Sequence, residues 1–201
     1  MARPRKPQKT YHHGDLRAAL ITAAIELIAE NGVAGLSLRE CARRAGVSHA
    51  APYRHFADKN ALLLEIARDG FARLAAVGEA AMKAVEDPRD RLDAYGIAYV
   101  RFAVENPVVF RLMFTSDFDK GEGQDDDADP GAFALLLRTA GDAVGGKVDA
   151  RLAAAGAWSL PHGLALLILD GRIPKEEAGT PEQAEALARS IFALWRGPLG
   201  R

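Results

Sequence analysis

Cysteine is almost absent: Cys41 stands alone in 201 residues. That excludes an intramolecular disulfide and any multi-cysteine metal site. Long apolar runs are scarce too, and none is read as reaching the ~18 to 20 residues a membrane span needs. No membrane partner is therefore expected. The basic start, from Met1 to Pro7, leads into no apolar stretch, so no secretory signal is expected and a cytoplasmic location follows. The chain lacks a Gly-rich phosphate loop, a G-x-S-x-G elbow and an H-E-x-x-H zinc motif. No enzymatic activity and no cofactor are expected. His49 and His55 have no acidic or cysteine partner at ligand spacing, so no metal is expected either. Period-two alternation is also missing, which leaves an all-α chain.

What is present is a core and an uneven charge. Hydrophobic residues make up 49% of the chain, enough to pack an interior. The net charge of −1 hides an asymmetry. Residues 1–60 hold ten Lys/Arg against five Asp/Glu, and the remainder holds 16 against 22. A basic front and an acidic rear fit a protein whose front alone meets a polyanion.

Three segments follow: a flexible basic arm over 1–14, a DNA-binding unit over 15–60, and a helical unit over 61–201. Asp15 is placed to cap a first helix whose Leu16, Leu20, Ala24, Leu27 and Ile28 repeat at three- and four-residue spacing. Asn31-Gly32 stops it. Ser37 and Glu40 read as a capping box opening a second helix that Gly46 ends. Ser48 is placed to cap a third, running to His55 or Phe56. Further helices are expected from Asp58 past Met82, over Arg89–Glu105, from Pro107 behind an Asn106 cap, and over Pro130–Gly145, Asp149–Asp170 and Pro181–Arg196. Residues 115–131, with seven acidic side chains, read as a solvated loop.

Two short helices joined by Gly46-Val47-Ser48, with Ala42 at their crossing, meet the requirements of a helix-turn-helix, whose second helix enters a major groove. The run from Leu36 to Leu63 contains Gly46-Val47-Ser48, Tyr53-Arg54-His55-Phe56 and Lys59-Asn60-Ala61-Leu62. It resembles the DNA-binding signature of the TetR (tetracycline-repressor) family. Asn106–Phe114 and Trp158-Ser159-Leu160-Pro161-His162-Gly163 resemble a family branch marked by a Trp…His-Gly pattern. The fold implied is an N-terminal three-helix helix-turn-helix domain followed by a C-terminal helical bundle for ligand sensing and dimerisation. Pro52 departs from the pattern, where Leu or Ile is commoner. It deletes one helical hydrogen bond and makes the third helix start late or tight.

The resemblance implies backbone contacts from Ser37, Tyr53, His55 and Lys59, and base-edge contacts from Arg39, His49, Ala50 and Ala51. Ser48 caps a helix whose N-terminus can meet phosphate, and Arg54 is assigned to the groove. Arg3, Arg5, Lys6 and Lys9 are candidates for a minor groove. In the rear unit, Phe102, Phe110, Met113, Phe114, Phe133, Trp158 and His162 are expected to line a pocket for a small, mostly apolar effector. Trp158 and His162, four residues apart, are placed to stack. Ala184, Leu187, Ala188, Ile191, Phe192 and Trp195 form a stripe expected at a homodimer interface, or inside the subunit, or both. The reading is a ligand-responsive repressor that binds a palindromic double-stranded DNA operator. An activator, a DNA-binding architectural or division-linked protein without a ligand, and a purely structural helical module are the alternatives.

Overall fold

The computed structural model describes residues 13–115 and 131–196, with side chains from Leu16 onward. The basic residues Arg3, Arg5, Lys6 and Lys9 lie outside the described residues, as does nearly all of the acidic 115–131 stretch. Every regular element among the described residues is helical. The chain divides into two compact units, residues 1–63 and 64–201.

The first unit holds α1 (His13–Asn31), α2 (Leu38–Arg44) and the start of α3 (Lys59–Met82). Helix α1 begins at His13, so Asp15 sits inside its first turn and not at its cap. Its Leu20, Ala23, Ala24, Leu27 and Ile28 are buried at helical spacing, together with Leu38, Cys41, Ala42, Phe56, Leu62 and Leu63. The Ser37 hydroxyl accepts from the Glu40 amide at 3.2 Å. The reciprocal half of the expected capping box is missing, because the Glu40 carboxylate is taken by Arg43. Asp58 caps α3 by accepting from the Ala61 amide at 2.8 Å.

In the second unit, α4 (Pro88–Glu105) packs against α6 (Ala132–Val144), α7 (Ala150–Leu169) and α9 (Pro181–Arg196); the short α5 (Pro107–Phe114) and α8 (Lys175–Ala178) complete the described helices. Asp87 caps α4 through the Arg89 and Asp90 amides, and Asp149 caps α7 through the Arg151 and Leu152 amides. The Thr180/Gln183 capping box is reciprocal, at 3.1 and 3.3 Å. Asn106 does not cap α5. Its amide donates to the Phe102 carbonyl at 3.0 Å and its carbonyl accepts from Arg73, so it closes α4 instead.

One seam joins α4, α7, α8 and α9 through Ile97, Val100, Leu164, Ala178, Ala184, Ala188 and Phe192. Gly96 makes the α4–α9 approach possible: a Cβ there would stand 2.4 Å from the Phe192 ring. Ion pairs flank the seam, with Arg101 reaching Glu182 and Glu185 at 3.0 and 2.9 Å and Arg196 reaching Asp90 and Asp93. Helix α7 corrects one expectation. Its 20 residues are long enough and, taken together, apolar enough to cross a membrane by length and composition alone. It runs unbroken through Pro161 and buries Ala154, Pro161, Leu164 and Ala165 within the unit.

Candidate functional site

The surface of the first unit is built by one turn. Helix α2 closes with Gly46 at φ +69°, a left-handed conformation that costs glycine nothing. The Val47 amide donates to the Ala42 carbonyl at 2.9 Å and the Gly46 amide to the Arg43 carbonyl at 3.2 Å. This is the paired C-terminal closure that satisfies the orphan carbonyls of a helix and turns the chain sharply.

Beyond the turn, the expected third helix from Ser48 to Phe56 is not an α-helix. The Ala51 amide bonds to the Ser48 carbonyl at 2.9 Å, and a single 3-10 turn follows over Pro52–Arg54. Pro52 has no N–H for the Ser48 carbonyl, and its ring crowds the turn before it, so the tighter three-residue pattern takes over. The ring is fully buried, which makes Pro52 a core anchor. Ser48 makes no side-chain cap and is exposed.

The expected DNA-contacting side chains fall on this surface. Ser37, Arg39, Ser48, His49, Ala50 and Arg54 are exposed, Tyr53 is 53% exposed, and Ala51, His55 and Lys59 are half-buried. The cations divide into two groups. Arg44 forks onto Glu30 of α1 at 2.8 and 2.6 Å, and Arg43 forks onto Glu40. These pairings hold the Glu30 and Glu40 carboxyls below their usual range. Arg39, Arg54 and Lys59 enter no ion pair among the described residues. Burial pushes the Cys41 thiol up, so it behaves as a small apolar core residue.

The second unit contains a cavity of about 600 Å³ among α3, α4, α5, α6 and α7. Of the seven expected lining residues, Met113, Phe114, Phe133 and Trp158 are on its wall. Phe110 is fully buried behind it. Phe102 faces a separate groove and carries the Arg73 guanidinium 5.6 Å above its ring. His162 also stands behind the wall, where burial lowers its affinity for a proton. Its ring lies 4.8 Å from that of Phe114 and 5.3 Å from that of Trp158, centroid to centroid.

Tyr99 is a lining residue that sequence reasoning missed. Its hydroxyl accepts from the Trp158 indole N–H at 3.1 Å and lies 2.7 Å from His162 Nδ1. Burial disfavours the charged imidazolium, so a neutral His162 shares one hydrogen bond with the Tyr99 hydroxyl, its direction set by the imidazole tautomer. Burial also holds the Tyr99 hydroxyl far above its ordinary pKa, so it stays protonated. Tyr95, four residues earlier on α4, also lines the cavity and donates to the Ala132 carbonyl at 3.1 Å. A signal was available: two tyrosines at i, i+4 on a buried face need partners for their hydroxyls. Arg151, the one charged side chain on the wall among the described residues, was missed as well.

The dimer stripe resolves unevenly. Ala184, Ala188 and Phe192 are consumed inside the subunit, Leu187 and Ile191 are half-buried against the same seam, and Trp195 is 54% exposed. Leu152, Leu167 and Leu194 are also exposed on α7 and α9.

Residues 20–66 match the model of bacterial regulatory proteins of the tetR family, and residues 92–194 match that of the tetracyclin repressor-like C-terminal domain. Among curated relatives, the HTH-type transcriptional regulator BetI of Rhizobium meliloti is 38% identical over 78 residues, 39% of this chain and 38% of that protein. The HTH-type transcriptional activator FasR of Mycolicibacterium smegmatis is 31% identical over 102 residues, 51% of this chain and 47% of that protein. The chain thus spans less than half the length of these two relatives. A solved structure of a protein of unknown function from Rhodococcus sp. RHA1 is 35% identical, with a TM-score of 0.74, covering 92% of this chain and 98% of that one. FadR of Bacillus subtilis, solved with stearoyl-CoA, shares the fold at 17% identity and a TM-score of 0.72, covering 88% of this chain and 96% of that one.

Proposed function

The chain belongs to the tetR family of bacterial regulatory proteins, and from that membership we propose that it is a sequence-specific transcriptional regulator, cytoplasmic, that binds a palindromic operator as a homodimer and releases it when an effector fills the cavity. The observation that carries this reading is the surface after Gly46. There the turn presents His49, Tyr53 and Arg54 to solvent and α2 before it presents Arg39, while Arg43 and Arg44 are held by carboxylates. Uncommitted cations at a sharp turn are what phosphate and base-edge contacts require. Ser37, Tyr53, His55 and Lys59 are assigned to the backbone, and Arg39, His49, Ala50, Ala51 and Arg54 to the groove; Ser48 supports the turn. A tight 3-10 turn offers a shorter reading edge than a full helix, so few base pairs per half-site carry the specificity.

Two half-sites are read by two copies, whose binding free energies combine. The contact between copies is assigned to α7 and α9, where Leu152, Leu167, Leu194 and Trp195 are uncovered. Repression is the output assigned. Effector binding would shift the population between forms of different operator affinity.

Capture of DNA cross-linked to the tagged chain in growing cells tests the regulator against an architectural protein. A few sharp sites beside promoters are expected. Broad, sequence-independent coverage of the chromosome would contradict the reading. Rising transcription of the neighbouring genes on deletion identifies a repressor, and falling transcription an activator.

A further inference from the structure

We propose, building on the effector reading above, that the effector is an amphiphile: an apolar body inside the cavity and a single anionic group, carboxylate or phosphate, held at the mouth by Arg151. Among the described residues, the side chains of the cavity wall are aromatic or aliphatic apart from Arg151, the tyrosines and the indole. Both tyrosine hydroxyls and the Trp158 indole N–H are already paired within the protein. Among the described residues the interior therefore offers no free partner for a charged or strongly polar group, and placing one there without a partner is costly.

Arg151 is different. It is exposed in the first turn of α7, and among the described residues no side-chain hydrogen bond or ion pair engages its guanidinium. Neighbouring Asp149 is spent on capping the Arg151 and Leu152 amides. A cation in the first turn is also set against the helix dipole, so helix stability does not account for it.

Geometry joins the two features. Arg151, Trp158 and Pro161 follow one another along α7 on the cavity wall. Ten residues at 1.5 Å each separate the first from the last, about 15 Å along the helix. An elongated molecule lying on this face has its apolar end among Tyr99, Phe114 and Trp158 and its head at the guanidinium. The planar fork of arginine matches a carboxylate or a phosphate with two parallel hydrogen bonds. At the mouth the head keeps its water on one side, so desolvation costs little there.

The test uses the full chain carrying Trp195→Phe, which leaves Trp158 as its one tryptophan, on the cavity wall. Laurate, lauryl phosphate and lauryl alcohol are titrated against its fluorescence. Laurate, lauryl phosphate or both are expected to bind roughly tenfold more tightly than the alcohol, the size of one charge-assisted pair. Arg151→Gln is expected to erase that preference and leave alcohol binding unchanged, which also shows that the variant is folded. Preference for laurate names a carboxylate head, and preference for lauryl phosphate a phosphoryl one. Equal binding of acid and alcohol, an unchanged preference in Arg151→Gln, or no binding of any probe would overturn the proposal. Selection of an operator is scored separately on the chain that keeps Trp195, so the regulator reading stands or falls on its own result.

Discussion

The hydroxyl of Tyr99 lies 2.7 Å from Nδ1 of His162, although 63 residues separate them in sequence. This contact ties α4 to α7 at the back of the cavity, and the Trp158 indole N–H completes it from the same side. Tyr99→Phe removes the shared oxygen and leaves a half-buried indole donor and an imidazole nitrogen unpaired. The expected loss is about 1–3 kcal/mol in denaturant-induced unfolding. A variant as stable as the parent would show that water replaces the hydroxyl at no cost.

The burial of His162 sets a pH dependence. Burial lowers the pKa of folded His162 below its ordinary 6.5. Below that value the unfolded chain takes up a proton that the folded chain refuses, so stability is complete above pH 6.5 and falls as the pH drops toward the folded pKa. His162→Gln should flatten this part of the profile, read as unfolding midpoints from neutral to mildly acid pH. Parallel profiles for parent and variant would contradict the assignment of a buried neutral imidazole.

Gly96 and Phe192 make the second prediction about packing. A Cβ at position 96 has 2.4 Å to the Phe192 ring and must push α9 away from α4. Gly96→Ala should cost about 1–3 kcal/mol, the usual range for overpacking a core. Adding Phe192→Leu should recover part of it, because the two changes share one space. Strict additivity of the two losses would contradict the contact.

Pro52 governs the DNA-facing segment. Pro52→Leu restores an N–H that can donate to the Ser48 carbonyl, and the segment from 48 to 56 should convert from turns to an α-helix. Amide exchange of residues 53–55 should slow, and the selected operator should change in its base composition. An unaltered exchange pattern would show that something other than the proline ring holds the 3-10 turn.

Base and backbone contacts separate by salt. Arg39→Ala should cost about 1–3 kcal/mol on the preferred operator and relax its sequence. Lys59→Ala should weaken binding to all sequences alike and reduce the salt slope by about one. The same loss on operator and random duplex for Arg39→Ala would move Arg39 from the groove to the backbone.

Much of this was legible in the sequence because local rules decided it. The buried stripe of α1 (Leu20, Ala24, Leu27, Ile28) and the Gly46 turn depend on near neighbours in the chain. Contacts that cross the chain were harder to see. Ser37 and Glu40 have capping-box spacing, yet Arg43 competes for the same carboxylate at closer range. Asn106 looks like an N-cap, yet the Phe102 carbonyl and Arg73 claim its side chain. Phe102 and Phe110 share the aromatic character of the true lining residues, and only tertiary packing turns them away from the cavity. Ala184, Ala188 and Phe192 form an apolar stripe that fits an interface or a core equally well, and Gly96 is what lets the core take it.

The measurement that tests the central claim most directly is selection of bound fragments from a random duplex library by the purified chain at about 150 mM salt, where phosphate contacts alone no longer hold any sequence tightly. The account predicts enrichment of an inverted repeat, its half-sites spaced by about one helical turn or a multiple. Recovery of no motif, with uniformly weak binding, would contradict it.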